Sequence, residues 1–199
     1  TFRTADNPIL VKHFQDIALR ILTFNPIEKN DLIVDIGSND GTLLKCFKDI
    51  GYGNVLGIDP ADEIAAEATK RGIPTIQSFL DEHTANQILI KYGSASLVTA
   101  NNVYAHIDDL SSMTNSIKTL MRENGLFVFE VSYLLDVVEK MLIGTIFHEH
   151  LCYHSIKAMK RFLISQGLEL IHIERGPEQG GSIVGYAQFH GGSRDIEAS

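Results

Sequence analysis

Short apolar segments alternate with helix-like segments along the first two thirds of the chain. Strand-like runs occur near 32–36, 55–58, 73–76, 96–100 and 126–131, with amphipathic helical patterns between them. Strands that alternate with helices pair in parallel, because each connection crosses over the sheet before the next strand begins. The alternation therefore predicts a doubly wound α/β domain, and 199 residues are enough for one.

The C-terminal part departs from this alternation. After a helix predicted at 156–166, two strand-like segments at 168–174 and 182–189 are separated only by a short loop containing Pro177 and two glycines. That loop is too short for a crossover helix, so the last two strands are expected to pair antiparallel. We predict a mostly parallel, seven-stranded Rossmann-like sheet that ends in an antiparallel hairpin.

The domain organisation is expected to be simple. We interpret 1–199 as a single domain, with an N-terminal helix within 1–24 that Asp6 or Asn7 caps and a loose tail at 190–199. The chain begins with Thr1 rather than methionine, and we expect it to be a fragment of a longer protein.

Composition narrows the class of partner. The net charge is −8 at pH 7 and lysine and arginine do not cluster, which argues against binding DNA or RNA. Cys46 and Cys152, the two cysteines of the sequence, are too few for a disulfide framework, so a reducing, cytoplasmic location is expected. The longest apolar runs are shorter than a membrane span. A small-molecule substrate remains the expected partner.

The loop after the first predicted strand carries the most informative motif. Residues 34–41 read VDIGSNDG, in which Gly37 and Gly41 allow a tight turn and a close approach to a ligand. A dinucleotide-binding loop would read G-x-G-x-x-G, but here Asn39 replaces the second glycine and Asp35 precedes the loop. An acidic loop suits a cofactor whose charged end carries an ammonium and a sulfonium. This favours S-adenosylmethionine over NAD.

A second signal follows the second predicted strand. Residues 57–60 read GIDP, and this places Asp59 about twenty residues past the loop, where a carboxylate can accept hydrogen bonds from both ribose hydroxyls. Alone, it would equally fit a helix cap. The two signals on consecutive strands predict a cofactor site made by Asp35, Gly37, Ser38, Asn39, Gly41, Asp59, Pro60, Phe79 and Asn101.

The last two residues of that site follow later strands. Phe79 would stack on the adenine, although a buried core phenylalanine is an alternative. Asn101 ends the fourth strand near the expected methyl group, although a polar turn is an alternative there.

Ionisable residues form two clusters on the carboxyl side of the predicted sheet. His106 follows the fourth strand, and His148, Glu149 and His150 follow the fifth. The zinc motif H-E-x-x-H is absent because Cys152 stands four residues after His148, although alternating His-Glu-His can still bind a metal. Simple surface or packing roles are a further alternative. General acid–base catalysis is favoured, since histidine titrates near neutrality and a carboxylate can orient it.

These clusters bear on which atom accepts the methyl group. Transfer to oxygen or nitrogen often needs little beyond positioning. Transfer to carbon requires a base that removes a proton next to a carbonyl and a donor that stabilises the enolate oxygen. The loop is rich enough for both roles, so methylation of carbon is favoured.

Three motifs together resemble the C-methyltransferases of nucleotide-linked deoxysugars. They read NNVYAHIDD at 101–109, HEHLCY at 148–153 and GGSI at 180–183, and the resemblance spans most of the chain. It implies a class I methyltransferase fold and methylation at C3 of a 4-keto-6-deoxyhexose. It also implies that His150 is the base, that Glu149 is its electrostatic partner and that His106 contacts the substrate or enolate oxygen. His148 is a further catalytic candidate.

The chain departs from that family in two ways. The family usually has tyrosine directly before His-Glu-His, whereas this chain has Phe147, which can neither donate a hydrogen bond nor share a proton. The family also carries an upstream zinc-binding domain with clustered cysteines and a further C-terminal domain. Residues 1–199 show neither, and their two lone cysteines cannot make such a zinc site. An O- or N-methyltransferase of a small metabolite and a non-catalytic S-adenosylmethionine-binding module are therefore the alternatives.

Overall fold

The computed structural model describes residues 3–146, 148 and 150–196. Seven strands in this part of the chain form one sheet: β1 (Ile33–Ile36), β2 (Val55–Ile58), β3 (Thr75–Ile76), β4 (Ala95–Asn101), β5 (Met121–Ser132), β6 (Leu168–Gly176) and β7 (Ser182–Phe189). Their order is β3-β2-β1-β4-β5-β7-β6. The first five strands are parallel, and β7 is antiparallel to both β5 and β6. The predicted fold class is confirmed.

Helices cover both faces of the sheet. They are α1 (Pro8–Phe24), α2 (Thr42–Asp49), α3 (Asp62–Lys70), α4 (Glu82–Tyr92), α5 (Leu110–Leu120), α6 (Leu134–Glu139) and α7 (Ile156–Ser165). Asn7 caps α1, since its side chain accepts hydrogen bonds from the amides of Ile9 and Leu10, and Pro8 occupies the first helical position. No helix among the residues described is long and apolar enough to cross a membrane.

Alternation along β5 divides the core into two layers. Phe127 and Phe129 face the layer that α4, α5 and α7 cover, whereas Val128 faces the layer with Ile17 of α1 and Phe47 of α2. All five side chains are fully buried. The central strands are thus apolar on both faces, as parallel sheets require.

Two strands begin two or more residues away from the predicted position. β5 begins at Met121 rather than near 126, because the polar residues 122–124 that follow Met121 lie outside the core, where hydrophobicity gives no signal. β3 begins at Thr75 rather than at 73, since the amide of Ile73 donates to the carbonyl of Ala68 and completes the end of α3. Ile73 is nevertheless buried, since its side chain packs in the core layer that contains Phe47.

The sheet order reverses between β1 and β4, which are neighbours although distant in sequence. The helix that follows β1 packs on one face of the sheet and the helix that follows β4 packs on the other. A crevice therefore opens between them at the carboxyl ends of the two strands. Ligands of open α/β sheets bind at such a switch point.

Candidate functional site

Two adjoining cavities occupy that crevice. A cavity of about 320 Å³ lies on the β2 side and is lined by residues that include Ile58, Asp59, Pro60, Phe79 and Leu80. A cavity of about 340 Å³ lies on the α1 side and is lined by residues that include Thr4, Leu10, Phe14, Asp35 and Ser38. Both are lined by Gly37, Asn101, Asn102 and His106, so they form one continuous cleft.

The glycines of the loop from β1 to α2 have distinct roles. Gly37 has a φ of +65°, and a Cβ there would lie 2.6 Å from Cγ2 of Val103. Only glycine fits this position, which leaves the backbone open to the cleft. Gly41, with a φ of +78°, packs against Ile73 and makes the turn into α2 without lining either cavity.

Asp35 is buried beneath this loop. Its Oδ1 accepts a 2.6 Å hydrogen bond from Oγ1 of Thr99. Burial raises the pKa of Asp35 to about 7, the Thr99 hydrogen bond opposes that rise, and the charge of Asp59 adds to it. A cation placed beside Asp35 would therefore be strongly favoured, because it would replace the lost solvation.

Asp59 fastens the loop to the end of β2. Its Oδ2 accepts from the amide of Asn39 at 2.8 Å, and its Oδ1 accepts from the amide of Ala61 at 2.9 Å. Each carboxylate oxygen can accept a second hydrogen bond, and the residue lines the cleft. Asp59 thus has the structural role that the sequence left open and retains capacity to bind hydroxyl groups.

Several polar atoms at the cleft are buried without a hydrogen-bond partner among the residues described. They are Oγ of Ser38 and both Oδ1 and Nδ2 of Asn101. Unsatisfied buried groups are rare and costly in folded proteins. Both residues line the cleft, so a polar ligand would supply these partners once the two side chains turn toward it.

Phe79 lies at the rim of the cleft. Its side chain is 72% exposed and lines the β2-side cavity. The alternative of a buried core residue is therefore wrong, and an exposed ring beside an apolar cavity is suited to stacking on a planar group.

His106 and His150 are brought together from distant parts of the chain. Their ring centroids lie 4.9 Å apart. The amide of Leu151 donates to the carbonyl of Ala105 at 2.7 Å, and this holds the two loops side by side. His106 also lines both cavities, so the histidine pair lies at the mouth of the cleft.

The tautomer of His150 follows from its partner. Nδ1 of His150 lies 2.9 Å from the carbonyl oxygen of Thr145. A carbonyl can only accept, so Nδ1 donates and the neutral ring carries its basic lone pair on Nε2. The hydroxyl of Tyr153 donates to the same carbonyl at 3.2 Å and helps to fix it.

The remaining members of the predicted cluster have different placements. His148 is exposed. Glu149 and Phe147 lie outside the described residues, so the role of Glu149 stays a prediction. His154, further along the same loop, is buried, and burial lowers its pKa and keeps the ring neutral.

Sequence reasoning missed a buried charged cluster beside the cleft. Nε2 of His13 lies 2.9 Å from Oε2 of Glu130, and its Nδ1 lies 3.1 Å from Oε1 of Glu178. Burial alone would lower the pKa of His13, but the hydrogen bond and charge of Glu130, with the charge of Glu178, outweigh it and raise the pKa. A glutamate inside the apolar run of β5 was the signal that could have found this cluster.

Comparisons with known proteins agree with the fold and the cleft. A family model described as a methyltransferase domain matches residues 11–173. C-methyltransferase NovU of Streptomyces niveus is 32% identical over 183 residues, which are 92% of this chain and 43% of that protein. The chain thus spans less than half the length of this relative.

Solved structures show the same architecture at low identity. The magnesium protoporphyrin IX methyltransferase ChlM from Synechocystis PCC 6803, with bound SAH, aligns at a TM-score of 0.68 and 15% identity, over 91% of this chain and 87% of that one. An S-adenosylmethionine-dependent methyltransferase from Clostridium acetobutylicum ATCC 824 aligns at a TM-score of 0.70 and 12% identity, over 91% and 92%. The likeness extends to the class I fold.

Proposed function

This chain belongs to the family of S-adenosylmethionine-dependent methyltransferase domains, and we propose that it methylates a carbon atom of a small enolisable substrate. The proposed acceptor is a nucleotide-linked 4-keto-deoxysugar. The observation that carries this proposal is the pairing of His106 with His150 at the mouth of the cleft. The similarity to a protein named as a C-methyltransferase supports carbon as the acceptor.

Several features of the cleft support cofactor binding. We propose that Asp35 and the open backbone at Gly37 hold the amino-acid end, and that Asp59 accepts hydrogen bonds from the ribose. Phe79 at the rim would stack on the adenine, with Pro60 beside it. The side chains of Ser38 and Asn101 would turn toward the cleft and bind polar groups of the cofactor. When bound, S-adenosylmethionine supplies an electrophilic methyl group.

The histidines would carry out the proton chemistry. Nε2 of His150 would take the proton from the carbon next to the keto group, and the electron pair of the broken C–H bond would move onto the carbonyl oxygen. His106, whose ring centroid lies 4.9 Å from that of His150, would donate a hydrogen bond to that enolate oxygen. The enolate carbon would then attack the methyl group, so that the new C–C bond forms and the carbonyl is restored while the bond from the methyl carbon to the sulfonium sulfur breaks and S-adenosylhomocysteine leaves.

The nucleotide part of such an acceptor would be held outside the cleft. Neither cavity is lined by a lysine or an arginine, as far as the chain is described. Diphosphate groups usually bind to such cations. We therefore propose that other parts of the full-length protein hold the diphosphate, while this domain binds the sugar and the cofactor.

The choice between carbon and oxygen can be tested with two matched acceptors. The full-length protein would be given a nucleoside-diphosphate-linked 4-keto-6-deoxyhexose or its reduced 4-hydroxy counterpart, and the formation of S-adenosylhomocysteine measured. Only the keto compound is expected to react, because only it can form an enolate. Turnover of the hydroxy compound would favour an O-methyltransferase. Cofactor binding without any turnover would favour a non-catalytic module.

The raised pKa of Asp35 predicts a pH-dependent cofactor affinity. The pKa of Asp35 is about 7 in the free domain, and the ammonium of the cofactor would bind only beside the ionised carboxylate. Protonation of Asp35 therefore competes with cofactor binding as the pH falls. The dissociation constant of S-adenosylhomocysteine is expected to be about tenfold higher at pH 5.5 than at pH 7, a range in which the ammonium stays charged. Calorimetry would measure this change.

The matched variant is Asp35→Asn, which keeps the shape of the side chain and removes its titration. Its affinity is expected to be weak and nearly constant between pH 5.5 and 7. A wild-type dissociation constant that does not change over the same range would show that Asp35 does not bind the ammonium.

We further propose that residues 1–199 form one methyltransferase domain and that the protein is cytoplasmic. Cys46 and Cys152 support the second point, since both are free thiols.

A further inference from the structure

The segment that precedes α1 crosses the cofactor loop. Thr4–Asp6 forms one turn of 3₁₀ helix, and Thr4 is only 6% exposed. The amide of Thr4 donates to Oδ1 of Asn39 at 3.1 Å, and the amide of Ala5 donates to Oδ2 of Asp40 at 2.8 Å. We call residues 3–7 the N-terminal strap. It is attached to the loop between Gly37 and Gly41 by these hydrogen bonds, which run from strap amides to loop side chains.

Asp40 is the anchor of this strap. Its side chain is 2% exposed and does not line either cavity of the cleft. Its Oδ1 accepts a 2.6 Å hydrogen bond from the hydroxyl of Thr42, while its Oδ2 accepts from the amide of Ala5. Arg71 also lies 3.8 Å from Oδ2 of Asp40. A buried carboxylate that faces the strap, the start of α2 and this cation is placed to join them, not to contact a ligand.

The strap also forms part of the cleft. Thr4 lines the α1-side cavity together with Asp35, Gly37 and Ser38. This is the cavity to which the proposed function assigns the amino-acid end of the cofactor. A ligand there would therefore touch the strap on one side and the loop on the other.

We propose that the N-terminal strap closes the amino-acid end of the cofactor site and holds the Gly37–Gly41 loop in its binding conformation. The hydrogen bond from Ala5 to Asp40 is its latch. The inference rests on the proposed placement of the cofactor and is independent of the methyl acceptor. The strap residues are positioning residues, since they act through the shape of the loop.

The sharpest variant removes the latch without altering the loop. Ala5→Pro deletes the amide hydrogen that Asp40 accepts, and it also disfavours the helical conformation of Thr4. Ala5→Ser is the matched control, because it keeps the amide hydrogen and changes only an exposed side chain. Both would be made in the full-length protein.

Cofactor binding is the first readout. Calorimetry with S-adenosylhomocysteine alone is expected to give about tenfold weaker affinity for Ala5→Pro, the size of effect that a hydrogen bond to a charged group allows. Ala5→Ser is expected to bind like the wild type. In turnover, the KM for S-adenosylmethionine should rise for Ala5→Pro while kcat at saturation stays the same.

Strap opening is measured separately. Trypsin cleaves after Arg3, next to the strap turn, and bound S-adenosylhomocysteine is expected to protect this bond in the wild type and in Ala5→Ser. Protection should be lost in Ala5→Pro. Equal affinities for the two Ala5 variants, with the strap of Ala5→Pro opened to trypsin, would overturn the proposal.

A second variant covers the case in which Ala5→Pro does not fold. Asp40→Asn keeps one acceptor oxygen, so it weakens the latch and leaves α1 untouched. It should weaken S-adenosylhomocysteine binding by a few fold and raise cleavage after Arg3. An Asp40→Asn protein that cleaves faster yet binds with wild-type affinity would also overturn the role of the strap. Because no acceptor is present, neither result depends on the proposed reaction.

Discussion

Replacing His150 with glutamine is expected to lower kcat by about 100- to 10,000-fold, the usual contribution of a general base. Glutamine still reaches the carbonyl of Thr145, to which Nδ1 of His150 now donates, but it has no basic nitrogen to take a proton from carbon. The dissociation constant of S-adenosylhomocysteine should stay within about twofold of the wild type, because the proposed cofactor contacts lie elsewhere in the cleft. Steady-state kinetics and calorimetry on the full-length protein would measure both quantities.

The matched control for this variant is His83→Gln. His83 is an exposed histidine of α4, so its loss should change kcat little. If His150→Gln retained more than a third of the wild-type kcat, His150 would not be the base, and the carbon-methylation mechanism would lose its central group.

Replacing Asp59 with alanine is expected to weaken cofactor binding by about 100-fold or more. Two hydrogen bonds between a carboxylate and ribose hydroxyls would be lost, each worth about 1.5–3 kcal/mol when one partner is charged. The amides of Asn39 and Ala61 would also lose their acceptor, which loosens the loop. Asp59→Asn keeps one acceptor oxygen and should lose only about tenfold. Calorimetry with S-adenosylhomocysteine would measure the change.

Asp62→Ala is the control for these variants, because Asp62 is an exposed carboxylate in the first turn of the adjoining helix α3. A thermal melt of each protein separates a loss of stability from a loss of binding. If folded Asp59→Ala bound the cofactor within threefold of the wild type, Asp59 would have only its structural role at the end of β2.

The fold followed from sequence because its signals are local. The apolar runs of the central strands have helices between them, and the short Pro177–Gly181 connection allows only an antiparallel hairpin. The start of β5 was missed because its polar residues 122–124 carry no hydrophobic signal. The start of β3 was misplaced because Ile73 is apolar and buried in the core although it lies outside the strand.

Site residues could be predicted from sequence where a single loop carries them or where they directly follow one strand. Gly37 and Asp59 line the cleft at the carboxyl ends of β1 and β2, as the motifs indicated. The long-range contacts were not predictable, because no local pattern encodes which loops meet. The approach of His150 to His106 and the pairing of His13 with Glu130 both depend on how distant segments pack.

The central claim is that the methyl group is transferred to carbon, and the product itself tests it most directly. The full-length protein would be incubated with S-adenosylmethionine labelled with ¹³C at the methyl group and with the nucleotide-linked 4-keto-6-deoxyhexose. A ¹³C NMR signal in the range of a methyl group bound to carbon, coupled to the neighbouring ring carbon, is the expected result. A methyl signal in the range typical of carbon bound to oxygen or nitrogen would contradict the account.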